Sequence, residues 1–367
     1  MNKITVTSPL LPPLEELIPY LEDIWEKKWL TNNGYYHQLL ENKLCDYLGV
    51  NYISLFSNGT LALLAAIQAL ELKGEIITTP YSFVATSHAI ILNNLTPVFV
   101  DIDTDTYNLN PKKIEEAITD KTSAIMPVHV YGNPCNHKEI KRIAEKYNLK
   151  IIYDAAHAFG VKKNNISILN WGDLSILSFH ATKTYSTIEG GAVICHTEEM
   201  KQKLDQLKNF GYISETEILV PSLNAKMNEL QAAFGLINLN HIDQAIDKRA
   251  QISKKYKKKI DDIKGISYMK EQPNVKYNYS YFPIIIDENV YGLSRDELYN
   301  KLKDNVIISR RYFYPLITNF DFYKKSKNII KHDISISEKV SNSVICLPLH
   351  HNISDIDVEK IISLIKN

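Results

Sequence analysis

Lys183 closes the run Ser178-Phe179-His180-Ala181-Thr182-Lys183, which leaves an apolar stretch at 174–179. An amine set among small and hydroxyl-bearing residues loses hydration. That lowers its pKa and frees it as a nucleophile toward an aldehyde. Taken alone, the run also reads as a surface lysine in a polar loop. A second candidate is Asp154, in Tyr153-Asp154-Ala155-Ala156-His157-Ala158, at the end of the apolar run 150–153. An acid followed by small residues can lie close under a planar ligand, and a carboxylate facing a pyridine nitrogen keeps that nitrogen protonated. The alternative is an acid that caps the next turn. The third is Ser57-Asn58-Gly59-Thr60, between an apolar run at 52–56 and a helical run at 61–70. Backbone N–H groups at a helix start, with hydroxyls and a glycine beside them, suit a phosphate. They equally suit an ordinary capped helix.

Each group directly follows a short apolar run, and that links them. Strand patterns at 52–56, 75–78, 97–100, 124–128, 150–153 and 174–179 alternate with helical patterns at 61–70, 83–92 and 138–147. Such alternation predicts an α/β fold with a mostly parallel sheet. In such sheets ligands bind outside the carboxyl ends of the strands, so the three groups converge there. A further strand at 192–195 follows too soon for a crossover helix, which predicts one antiparallel pairing and hence a mixed sheet. Gly190 and Gly191 let the chain turn back before it. From about residue 225 the texture changes. Helical runs at 227–239 and 243–263 precede short strands and helices to the end, which predicts a smaller C-terminal α+β domain. The expected division is 1–245, including an N-terminal arm with one or two helices, and 246–367. Phosphate cup, ring-facing acid and Schiff-base lysine are together the parts of a pyridoxal-phosphate site.

Composition narrows the alternatives. Lys+Arg and Asp+Glu number 42 each, so net charge favours neither nucleic acid nor an anionic membrane. A 45% hydrophobic chain of 367 residues can bury a large core. Cys45, Cys135, Cys195 and Cys346 are widely spaced, and Cys135 with His137 is too little for zinc, so a reduced cytoplasmic protein without a metal is expected. The first 13 residues lack a signal-peptide pattern, and the most apolar stretch, 61–70, is too short to span a bilayer. No Gly-x-Gly-x-x-Gly follows an early strand, which argues against a nicotinamide enzyme.

Asn58-Gly59-Thr60-Leu61-Ala62-Leu63, Asp154-Ala155-Ala156-His157-Ala158-Phe159-Gly160, Ser178 to Lys183 with Glu189-Gly190-Gly191, and Leu347-Pro348-Leu349-His350 form a set. With these motifs the chain resembles the DegT/StrS-type nucleotide-sugar aminotransferases over nearly its whole length. The resemblance implies the aspartate-aminotransferase (fold-type I) architecture with pyridoxal 5'-phosphate as cofactor. It implies Lys183 as the catalytic Schiff-base lysine, Asp154 on the pyridine nitrogen and His157 on the ring's phenolic oxygen. Phe83 would stack on the ring, and Gly59, Thr60 and Ser178 would hold the phosphate. Asn224 would reach the phosphate of a second subunit, which implies a homodimer with shared sites. Thr31, Asn33, His180, Glu189 and Tyr314 match sugar- or nucleotide-facing positions, although a simple turn or an aromatic packed beside Pro315 would explain some of them. Lys248, Arg249, Arg310 and Arg311 are candidates for a diphosphate. The family's amino donor is L-glutamate. Related dehydratases carry a histidine in place of the lysine, so Lys183 argues against that chemistry. The run from His180 to Gly191, the arm Trp29-Leu30-Thr31-Asn32-Asn33-Gly34 and Lys208-Asn209-Phe210-Gly211-Tyr212 look similar to viosamine-forming members. Those aminate C4 of dTDP-4-keto-6-deoxy-D-glucose for bacterial surface glycans. The alternatives are C3 amination of a dTDP-3-keto sugar, or C4 amination of a UDP- or GDP-linked one.

Overall fold

The computed structural model describes residues 3–366. The arm supplies α1 (Leu14–Lys27) and α2 (Tyr35–Leu48). Then come β1 (Tyr52–Phe56), α3 (Gly59–Ala69), β2 (Glu75–Thr78), α4 (Val84–Leu92), β3 (Thr96–Phe99) and β4 (Thr122–Ile125). After them follow α5 (His137–Tyr147), β5 (Lys150–Asp154), β6 (Leu174–Ser178), β7 (Gly191–Cys195), α6 (Glu198–Leu207) and α7 (Glu229–Ile260). The C-terminal part holds β8 (Ile266–Tyr268), β9 (Phe282–Ile286), α8 (Arg295–Asp304), β10 (Ile330–Lys331), α9 (Ser335–Ser343), β11 (Val344–Leu347) and α10 (Asp355–Lys366).

Eight strands form the main sheet in the order β1-β7-β6-β5-β4-β2-β3-β10. Of these only β7 runs against the others, pairing antiparallel with both β1 and β6. The expected α/β class with a mixed, mostly parallel sheet is what the chain adopts. The carboxyl ends of β1, β5 and β6 therefore share one edge. The central strand β7 is buried throughout, so it reads as an unbroken apolar run rather than an alternating one. Helix α5 buries Ile140, Ile143 and Ala144, three and four residues apart, and turns its charged residues outward.

The helical runs on either side of residue 240 form one helix, α7, with no break between them. Neither Gly nor Pro interrupts its charged middle, and a capping box of Asn228 and Gln231 starts it. Its first half packs into the core under the main sheet, and Ile252, Tyr256 and Ile260 pack on the small antiparallel sheet β8-β9-β11. The chain also crosses back. Ile4 bridges Ile307, and β10 pairs with β3 at the edge of the main sheet. Among the described residues no helix is long and apolar enough to cross a membrane.

Candidate active site

A cavity of ≈ 250 Å³ opens at the shared carboxyl edge. Asn58, Gly59 and Thr60 enter it from β1, Asp154 and His157 from β5, and Ser178, His180 and Lys183 from β6. Asn58 accepts the N–H of Leu61 with its side chain at 2.9 Å and so caps α3. The first N–H groups of a helix have no acceptor within it, and those of Gly59 and Thr60 stand at the cavity. Two glycines permit this crowding. A Cβ on Gly59 would lie 3.0 Å from that of Ser178, and one on Gly191 would lie 2.6 Å from the backbone of Asn58 and Gly59.

Asp154 is buried, and its two carboxylate oxygens accept from Thr86 Oγ1 at 2.7 Å and from the Ala156 N–H at 3.1 Å. Burial raises its pKa, against the pull of those hydrogen bonds and of Lys183. Each oxygen keeps a lone pair for another donor. His157 is buried too, and burial, helped by the charge of Lys183, holds its pKa well below the usual value. Its Nδ1 accepts the Tyr131 N–H at 3.2 Å, so the proton of the neutral ring sits on Nε2 as a donor. Lys183 lines the cavity, and loss of hydration brings its pKa down to about 8, with Asp154 opposing and Arg310 adding to the shift. Its backbone N–H bonds the His180 carbonyl at 2.9 Å, a turn that holds the side chain over the cavity.

At the mouth, His180 Nδ1 accepts the Thr182 N–H at 3.2 Å, which leaves Nε2 toward Glu189, 3.5 Å away. The Glu189 carbonyl is fixed by Thr187 Oγ1 and Gln231 Nε2, both at 2.7 Å. Phe83 lines the cavity and is 56% exposed. Other expected residues stand elsewhere. Thr31 and Asn33 are exposed in the arm loop, whose Leu30 carbonyl accepts the Glu229 N–H at 3.0 Å, outside the cavity. Asn224 is exposed, also outside the cavity of its own chain. The chain turns at Tyr312–Phe313, which line the cavity, whereas Tyr314 lies against Arg295 and Arg311.

A model of the DegT/DnrJ/EryC1/StrS aminotransferase family matches residues 14–366. The chain belongs to this family. The dTDP-4-amino-4,6-dideoxy-D-glucose transaminase of Shigella dysenteriae is 55% identical over 363 residues, 99% of this chain and 98% of the relative. A transaminase of the same name from Escherichia coli is 50% identical over the same shares of both chains. Among solved structures, DesI in the presence of its TDP-sugar product superposes with a TM-score of 0.95 at 30% identity, over 100% of this chain and 93% of that one.

The cofactor of this aminotransferase is pyridoxal 5'-phosphate, and the residues present fit it. Free helix N–H groups and the Ser178 hydroxyl suit its phosphate. A carboxylate with spare lone pairs suits its ring nitrogen, and the His157 Nε2–H suits its phenolic oxygen. A desolvated amine suits its aldehyde. Sequence reasoning missed several contributors. Thr86 of α4 supports Asp154 and is itself bonded to Ser82 Oγ, in the loop before the helix, at 2.8 Å. Tyr281, Tyr312 and Phe313 come from the C-terminal part, and Phe313 lies parallel to His157 at 5.9 Å. The three C-terminal aromatics follow no carboxyl end of the main sheet, the signal that found the others, whereas Ser82 lies just past the end of β2 at Thr78.

Proposed function

We propose that this aminotransferase moves the amino group of L-glutamate to C4 of dTDP-4-keto-6-deoxy-D-glucose, in the supply of a bacterial surface glycan such as lipopolysaccharide O-antigen. The observation that carries this is 50–55% identity, end to end, to two transaminases named for the 4-amino product. The chain divides near residue 245, and the smaller part contributes the aromatic wall of the site.

When bound, pyridoxal phosphate supplies an aldehyde for the amine and a ring that stores an electron pair. Lys183 Nζ, largely neutral above about pH 8, is the nucleophile at that aldehyde. Lys183 would also be the base that takes the proton from the donor's α-carbon and returns it on the other side of the transfer. Asp154 holds the proton on the ring nitrogen, His157 donates to the phenolic oxygen, and Phe83 covers the ring. Gly59, Thr60 and Ser178 hold the phosphate, and Asn224 completes that cup in a second copy, so the unit is a homodimer. His180 and Glu189 bind sugar hydroxyls at the mouth. Thr31, Asn33 and Tyr314 meet the sugar or nucleotide where it leaves the cavity, or in the partner's site. Unpaired cysteines accord with work in the cytoplasm.

The test is a panel of dTDP-, UDP- and GDP-linked 4-keto and 3-keto sugars with glutamate, the nitrogen being located by NMR. Amination of dTDP-4-keto-6-deoxy-D-glucose at C4, at the highest kcat/KM of the panel, is expected. Preferred amination of the 3-keto isomer, or of another nucleotide's sugar, would overturn the substrate and leave the reaction class standing.

A further inference from the structure

Tyr312 and Phe313 line the cavity, yet they belong to the C-terminal part and must be fixed against the residues of the main sheet. Backbone carbonyls along their turn find partners one by one. The Arg310 carbonyl accepts the Cys346 N–H at 2.8 Å, the Arg311 carbonyl the Tyr314 N–H at 3.1 Å, and the Phe313 carbonyl the Ser341 hydroxyl at 2.9 Å. All three of those donors are in the C-terminal part. The Tyr312 carbonyl instead faces two hydroxyls from the main-sheet part, Tyr81 Oη at 3.1 Å and Tyr131 Oη at 3.0 Å. These hydroxyls lie 2.7 Å from each other. Both rings are buried, and burial holds both phenols well above their usual pKa, so they stay protonated donors. The Cys346 thiol, also beside Tyr131, offers only a weak bond.

We propose that Tyr81 and Tyr131 are exchangeable donors that position the Tyr312–Phe313 wall for the keto sugar. This rests on the reading of the protein as a sugar transaminase. Three oxygens share two protons. The 2.7 Å contact between the hydroxyls takes one proton, so the other goes to the carbonyl. One tyrosine thus holds the wall and its neighbour backs it, and the two can trade roles. Removing either hydroxyl leaves the survivor free to donate directly. Both residues also reach the cofactor side of the cavity. Tyr81 stands two residues before Phe83, in the loop after β2. The Tyr131 N–H bonds His157 Nδ1 at 3.2 Å, and its backbone is held at φ 57°, a conformation that tyrosine rarely adopts. The Tyr81 ring meets Phe313 edge-on at 5.4 Å, and the Tyr131 ring lies parallel to it at 6.0 Å. The wall is therefore set by the loops of Phe83 and His157, not only by its own part of the chain.

The experiment compares holoenzyme of wild type, Tyr81→Phe, Tyr131→Phe and the double variant, with urea unfolding of each to set conditions where all are folded. Calorimetry measures dTDP-4-keto-6-deoxy-D-glucose on the pyridoxal-phosphate form, which has no amino group to give, so binding is read without turnover. KM and kcat for the same sugar are read beside it. Each single variant is expected within about twofold of wild type in Kd and KM, because one donor remains. The double variant leaves a buried acceptor unmet, and Kd and KM should rise on the order of 10- to 100-fold. Its kcat should stay within about threefold, since Lys183 and Asp154 keep their own partners. The loss in the double variant thus exceeds the product of the single losses. A double variant that binds the sugar like wild type, or one that loses stability in urea with Kd and KM unchanged, would overturn the inference while the function stands. So would single losses whose product equals the double loss, because independent contacts behave in that way. A wild type that neither binds nor aminates any keto sugar would overturn the function, and this inference with it.

Discussion

Beneath the N-terminal arm, Lys208 is buried and fully engaged. Its Nζ lies 3.1 Å from Ser54 Oγ, 2.7 Å from Asp205 Oδ1 and 3.4 Å from Glu41 Oε1. Lys201 closes the ring on Glu41 at 2.9 Å and Asp205 at 2.6 Å. At the carboxyl edge of the sheet, Lys183, Asp154 and His157 repeat the same residue types with the opposite outcome. Burial pushes Glu41 up, but Lys208, His37 and Lys201 outweigh it and hold the carboxyl well below its ordinary range. Asp154 lacks such partners, and burial wins. A buried charge set that saturates itself locks the arm helix α2 onto β1 and α6. One that leaves an amine, a carboxylate and an imidazole N–H unspent is held open for a ligand.

The sharpest way to break this comparison is to remove a lysine from each set. Lys183→Ala should lose glutamate-dependent 2-oxoglutarate release by on the order of 10⁴-fold, since nucleophile and base go together. Its melting temperature should stay near that of wild type, because the amine supports nothing else. Lys208→Met should do the reverse. Breaking a buried pair costs about 3–5 kcal/mol, and the lower end is expected because Lys201 still faces Glu41. Urea unfolding would show it, with kcat of the folded enzyme unchanged. A Lys208→Met enzyme as stable as wild type would show that the cluster contributes nothing.

Carboxylates extend the contrast. Asp154→Asn should retain pyridoxal phosphate yet lose more than about tenfold in kcat, or ~1.4 kcal/mol of barrier, because an amide cannot hold the ring nitrogen protonated. If kcat stayed near that of wild type, Asp154 would be a turn cap. Glu41 speaks through pH. Its folded pKa lies below the ordinary 4.5, so between the two values the unfolded chain binds more protons. The stability it confers is complete above about 4.5 and is lost as pH falls below that. Glu41→Gln should flatten the acid limb of the melting-temperature profile; an unaltered limb would contradict the shift.

Much of the site was legible because chemistry here sits at strand ends, and apolar runs mark those ends locally. Lys183, Asp154 and Gly59 each follow such a run within a few residues. Thr86 gave no such signal, since its neighbours are those of any helix start. Arg310, Tyr312 and Phe313 reach the cavity through packing of the C-terminal part, which no local pattern encodes. The run 243–263 reads as a long charged helix continuing from 227–239, and α7 is that single helix; its pattern turns charged because it leaves one core for another while its backbone stays helical.

The smallest effect concerns two of the buried histidines, His37 and His157. His37 Nδ1 faces the Met227 carbonyl at 3.2 Å, and its Nε2 lies 3.2 Å from Glu41 Oε1 and 3.4 Å from Lys208 Nζ, so both nitrogens are used. His157 accepts the Tyr131 N–H on Nδ1, and its Nε2–H has no protein acceptor among the described residues. What the site needs there is one acceptor and one donor, and a primary amide has both. His157→Gln should therefore keep kcat within about threefold of wild type, since a hydrogen bond of that kind is worth about 1 kcal/mol or less when replaced in kind. His157→Leu, similar in bulk, loses both functions and strands the buried Tyr131 N–H, so it should lose more activity and some stability. The ring is neutral, its pKa held well below 6.5, so protonation of His157 adds no break near 6.5 to the pH–rate profile. Superimposable profiles for wild type and His157→Gln across that range are the expected result. A break near 6.5 present in wild type and absent in the glutamine variant would show that His157 titrates in the working enzyme, and that it acts as an acid or base rather than as a fixed donor.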